Sequence, residues 1–143
     1  MKVFIDTGVF LSISDKSDAF NKLVSSVYKK VAEQNAVLYT SNYIIDETIT
    51  LIRARVNHKA AVAFIKGFNI SNIRMLRIAE GDENSAKEIF IKYKDKNFSY
   101  TDCTSFALID KHSIDSILSL DEHFKQYAYK HTVKHLLSKL TLQ

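Results

Sequence analysis

Runs rich in Val, Ile, Leu, Phe and Tyr recur along the chain at residues 2–5, 36–40, 73–78 and 116–120, and a fifth lies near 132–136. Short apolar runs of β-branched and aromatic residues predict strands buried on both faces. Between them the apolar positions return at helical spacing, over residues 18–34, 42–56, 59–68, 82–94 and 101–112. Ser17, Ser41 and the Gly81-Asp82 pair mark helix starts, and a further helix begins near Gly8. Strands that alternate with helices predict an α/β fold, a mostly parallel central sheet of four or five strands flanked by helices on both faces. In such a sheet ligands bind beyond the carboxyl ends of the strands, so the polar residues there are the candidates for chemistry.

The 143 residues fit a single domain spanning 1–143, too short for two independent cores. With 46% hydrophobic and 25% charged residues the composition is that of a globular chain. No apolar run is long enough to cross a bilayer, and Asp6 interrupts the first run before it could act as a signal-peptide core. The single cysteine, Cys103, makes neither an internal disulfide nor a zinc cluster, and a reducing, cytoplasmic setting is expected. Twenty Lys and Arg against 16 acidic residues give a formal charge of +4, a weak pointer to a polyanionic partner.

Four carboxylates stand out. Asp6 directly follows Val3, Phe4 and Ile5, and Asp121 follows the run ending at Leu120, so each emerges at the carboxyl end of a strand. Either is also a good helix cap, Asp121 for the short turn Glu122, His123, Phe124. Asp102 stands three residues after Ser99, the spacing of a capping box. Glu47 has no such structural reason. It falls in an apolar stripe made by Tyr43, Ile44, Leu51 and Ala54, while its neighbour Asp46 shares a polar strip with Thr50, Arg53 and Asn57. A carboxylate among apolar groups calls for a cation from elsewhere in the fold or a metal. Gathered at one sheet edge, the four acids would repel one another, and a divalent cation reverses that penalty. Oxygen donors without His or Cys point to Mg²⁺ or Mn²⁺.

At these residues the chain resembles the PIN domain, the ribonuclease fold of VapC-type toxins. The resemblance is carried in order by Val3-Phe4-Ile5-Asp6-Thr7-Gly8-Val9-Phe10, Ile44-Ile45-Asp46-Glu47-Thr48, Phe98-Ser99-Tyr100-Thr101-Asp102-Cys103-Thr104-Ser105-Phe106-Ala107 and Ile117-Leu118-Ser119-Leu120-Asp121-Glu122-His123-Phe124. It implies that Asp6, Glu47, Asp102 and Asp121 hold one or two Mg²⁺ or Mn²⁺ ions for hydrolysis of RNA phosphodiesters. Thr7 and Ser119 would then orient Asp6 and Asp121 by hydrogen bonds. Gly8 stands where members often carry Asn or Ser and is left out of the site. The resemblance further implies the toxin of a toxin-antitoxin pair, a homodimer, and a cognate antitoxin protein over the acidic groove. The competing readings are a non-catalytic PIN-like module that binds RNA or protein, and a PIN nuclease of RNA processing.

Other signals carry less. Asp6-Thr7-Gly8 matches an aspartic-protease loop, but those enzymes face two such loops across a β-rich fold. Haloacid-dehalogenase chemistry needs an Asp at position 8, which is Gly, and ribonuclease H-type exonucleases usually pair two acids on the first strand, where this chain has one. His131 and His135 are spaced to share a helix face but have no third zinc ligand. Lys87, Lys92, Lys94 and Lys96, and Lys125, Lys130, Lys134 and Lys139, either contact phosphates or form solvated faces.

Overall fold

The structure is a computed structural model that describes residues 1–137. Lys139, and the last residues of the expected 1–143 domain, lie outside the described residues. The elements run in the order β1 (Lys2–Ile5), α1 (Thr7–Ser14), α2 (Asn21–Glu33), β2 (Val37–Ser41), α3 (Asn42–Arg55), α4 (His58–Asn69), β3 (Arg74–Leu76), α5 (Glu80–Lys92), α6 (Tyr100–Lys111), β4 (Ser116–Leu118), α7 (Glu122–Lys130) and β5 (Lys134–His135). The five strands form one sheet in the order β3-β2-β1-β4-β5, and every neighbouring pair is parallel.

β1 is the central strand. Successive side chains of a strand point to opposite faces, yet Val3, Phe4 and Ile5 are all fully buried, so helices cover the sheet on both sides. Phe4 packs on Phe124, and Phe106 stacks on Tyr127 with ring centroids 4.1 Å apart. These contacts place α6 in the core, where Asp102 through Ile109 are buried without a break. The sheet order also creates a topological switch. From β1 the chain builds outward through β2 and β3, then returns to the other side of β1 with β4, leaving a crevice at the carboxyl ends of β1 and β4.

Two expectations change. The expected helix over 18–34 starts at Asn21, because Asp15 and Asp18 accept from the backbone N–H of Ser17 and Phe20 and hold the approach in turns. The short turn after Asp121 is the nine-residue α7, stabilised by Phe124, Tyr127 and Ala128 at i, i+3, i+4 against the core. That helix ends at Lys130, so His131 and His135 share no helix face. His131 stacks on Tyr127, and His135 sits in β5. Among the described residues no helix is long and apolar enough to cross a membrane.

Candidate metal centre

Each of the four carboxylates comes from a different part of the chain. Asp6 follows β1, and its own N–H donates to Leu118 O of β4 at 3.1 Å, which ties the two strand ends together. Glu47 lies one turn into α3, a helix started by Ser41 Oγ accepting from Ile44 N–H. Asp102 lies in the first turn of α6 inside the expected capping box: Ser99 Oγ accepts from Asp102 N–H, and Asp102 Oδ2 accepts from Ser99 N–H, both at 3.0 Å. Asp121 precedes α7 and caps it, Oδ1 accepting from His123 N–H at 2.8 Å. All four line one open groove of about 290 Å³ together with Thr7, Gly8, Leu11, Leu51 and Leu120.

The capping explanation therefore holds for Asp102 and Asp121 and fails for Asp6. Asp6 occupies the N-cap position of α1, but its side chain makes no capping hydrogen bond. The residue is 94% buried, and its carboxylate receives Ser119 Oγ–H at 3.0 Å. Burial pushes its pKa up to about 7; Thr7 N–H and Ser119 oppose the shift, and the Asp102 and Asp121 charges add to it. Asp102 is likewise raised by burial, against the Ser99 N–H, with the Asp121 charge raising it further and His123 lowering it.

Two local readings of the sequence are corrected. Glu47 is half-buried, because in its stripe Ile44 alone is buried, Tyr43 and Leu51 are half-buried and Ala54 is exposed, so this face of α3 walls the groove. The hydroxyl pairing also differs from expectation, and both hydroxyl residues are buried. Thr7 Oγ1–H donates to Glu47 Oε2 at 3.0 Å, and Ser119 Oγ orients Asp6 while accepting from Asp121 N–H. The Ser119 hydroxyl thus bridges Asp6 and Asp121, while the Thr7 hydroxyl holds Glu47 alone.

The sequence reading missed His123. Its Nδ1 lies 2.8 Å from Asp102 Oδ2 and 3.4 Å from Asp121 Oδ1. The available signal was its place two residues after Asp121, in the first turn of a helix read only as a turn. Gly8 borders the groove as well, and a Cβ there would meet Leu120 Cβ at 3.6 Å, an ordinary contact.

The donor set fits a hard divalent cation. Among the described residues no Lys or Arg lines the groove, and the nitrogen group that meets its acids is the His123 imidazole, against Asp102 and Asp121. Glu47, Asp102 and Asp121 each engage one oxygen with the protein, and among the described residues none donates to the second oxygen. Carboxylates fixed on one side and open on the other are ready-made monodentate ligands.

The chain belongs to the PIN domain family, which matches residues 3–130. It is similar to the 23S rRNA-specific endonuclease VapC20 of Mycobacterium tuberculosis, 28% identical over 122 residues that cover 85% of this chain and 91% of VapC20. It is also 29% identical over 127 residues to a VapC ribonuclease of Archaeoglobus fulgidus, covering 87% of this chain and 80% of the relative. The crystal structure of VapC20, described as a Sarcin-Ricin loop cleaving toxin, superposes with a TM-score of 0.80 at 26% identity over 87% of this chain and 94% of that one. FitAcB from Neisseria gonorrhoeae, at 17% identity and a TM-score of 0.70 over 95% of this chain and 99% of that one, shares the fold.

Proposed function

We propose that this chain is a Mg²⁺- or Mn²⁺-dependent endoribonuclease of the VapC type, the toxin of a toxin-antitoxin pair, acting in the cytoplasm as a homodimer and held by a cognate antitoxin protein over the acidic groove. The observation that carries the reading is the convergence of Asp6, Glu47, Asp102 and Asp121 on one groove at the switch point of the sheet. The two VapC relatives, each covered over most of its length, support the same class of substrate.

In this reading the four acids are the metal-holding and catalytic set, and Thr7, Ser119 and Ser99 hold them in place before substrate arrives. A divalent cation bound there supplies Lewis-acid charge to a phosphodiester and acidifies water for in-line attack. Without such charge, four carboxylates repel the phosphate they must approach. The groove is open, so a strand of RNA can reach it from the surface, past the half-buried Leu11, Leu51 and Leu120. Exposed Phe90 and Ile91, adjacent on α5, support a homodimer.

The test is cleavage of structured RNA by purified protein with Mn²⁺, with Mg²⁺ and with chelator. Cleavage is expected with either ion and absent in chelator, and Asp6→Asn is expected to lower the rate at least about 100-fold while circular dichroism stays native. Cleavage by Asp6→Asn at the wild-type rate would rule the centre out.

A further inference from the structure

Beside the acidic groove, His123 brings a nitrogen donor against two of its four carboxylates, Asp102 and Asp121. His123 Nδ1, one oxygen of Asp102 and one of Asp121 all lie within 4.8 Å of one another. The imidazole is anchored from two sides: its backbone N–H donates to Asp121 Oδ1, and the ring lies edge-on to Phe98 with centroids 5.8 Å apart. It therefore faces both carboxylates at once, 2.8 Å from one and 3.4 Å from the other. Donor atoms about 2.1 Å from one six-coordinate ion stand about 3 Å apart when adjacent. The two separations bracket that spacing, and Asp102 Oδ2 and Asp121 Oδ1, which accept backbone N–H groups, each keep a further lone pair for an ion beside the open oxygens.

We propose that His123 is itself a ligand of this centre through Nδ1, making it a mixed nitrogen and oxygen site that shifts its preference from Mg²⁺ toward first-row transition ions such as Mn²⁺. The inference rests on the metal-dependent reading above. Mg²⁺ binds oxygen and keeps its waters, whereas imidazole is a common ligand of the transition series, so one nitrogen among carboxylates acts on selectivity as well as on affinity. Coordination places the imidazole proton on Nε2 and exchanges the Nδ1 contact with Asp102 for a shared ion, so no carboxylate has to move far. A histidine that only steadied Asp102 would keep its proton on Nδ1 and leave the ion in an all-oxygen shell.

The two arrangements separate spectroscopically. Pulsed electron paramagnetic resonance on Mn²⁺-loaded protein is expected to show ¹⁴N modulation from one directly bound nitrogen in wild type and none in His123→Gln. Calorimetric titration is expected to show the ratio of Mn²⁺ to Mg²⁺ affinity falling at least about tenfold in that variant, with His123→Asn giving the same result as a second oxygen-bearing replacement. Saturable Mn²⁺ binding without ¹⁴N modulation in wild type would overturn the ligand assignment and leave the proposed function intact, as would modulation that persists in folded His123→Gln. Failure of wild type to bind either ion would overturn both.

Discussion

Asp6 combines near-complete burial with two neighbouring carboxylates, and only a hydroxyl and a backbone N–H favour its ionised form. A carboxyl raised to about 7 from an ordinary value near 4 binds more protons folded than unfolded across that window, so stability falls as pH rises through it. Fully developed, this is a folding penalty on the order of 4 kcal/mol for the ionised group in metal-free protein. Asp6→Asn is therefore expected to raise the metal-free melting temperature at pH 8 by at least about 3 °C and to flatten its fall between pH 4 and 8, as scanning fluorimetry in chelator would record. A lower melting temperature in the variant would mean that the carboxylate is stabilising. The places of Asp6 and Asp121 at strand ends were legible because strand runs that end in an acid are local patterns. The relative strain of the acids was not, since the sequence marks Glu47 as the awkward carboxylate and only the sheet register shows Asp6 to be the more buried. His123 went unread because its significance depends on α6 and α7 meeting, a contact without a local signature.

One buried carboxylate links α5 to α6. Asp82 Oδ2 accepts from Ala79 N–H at 2.9 Å at the start of α5, and Oδ1 accepts from Lys111 Nζ of α6 at 3.0 Å. The Ala79 N–H and then the Lys111 charge, against the cost of burial, hold the Asp82 carboxyl below the usual range. Its contribution is thus complete at neutral pH and lost as pH falls below about 4. Asp82→Asn is expected to cost about 1–2 kcal/mol in urea unfolding at pH 7 and less at pH 3, and an equal cost at both would place the effect in packing. Ser41 was legible as a start signal because a cap is written in two or three adjacent residues, whereas α5 starts at Glu80, ahead of the expected Gly81-Asp82, because Asp82 reaches back from its first turn to Ala79 N–H. α7 was not legible, since among the described side chains its buried set is Phe124, Tyr127 and Ala128 in a polar nine-residue stretch. The expected strand over 116–120 closes at Leu118 because Ser119 turns in to Asp6, a tertiary contact that overrides the propensity of the run.

Over the whole molecule the acids and the lysines are arranged in sequence around one end of the sheet. A groove of about 620 Å³ lined by Lys96, Lys125, Lys130, Glu122, Gln126 and His135 adjoins a smaller pocket that shares Glu122, Lys125 and His135 with it and also reaches Ser119 and Asp121. Three lysines thus line the groove near β5, and one of them, Lys125, also lines the pocket that reaches Asp121, where it pairs with Glu122 at 3.5 Å. Lys87, Lys92 and Lys94 of the first group are exposed and do not line this groove, although Lys92 shares the Tyr93 ring with Lys130. Phosphates drawn to the lysines near β5 would deliver a phosphodiester to a centre that itself attracts anions only once it holds a cation. Replacing Lys96, Lys125 and Lys130 together by Gln is expected to weaken RNA binding in Mn²⁺ and to reduce the slope of log affinity against log salt by about 2, as three lost phosphate contacts on a single strand require. The same three changes at Lys87, Lys92 and Lys94 are the control, expected to leave the slope unchanged. An unchanged slope in the first variant would take the RNA off the α7 side of the molecule, and an equal loss in both would reduce the effect to net charge.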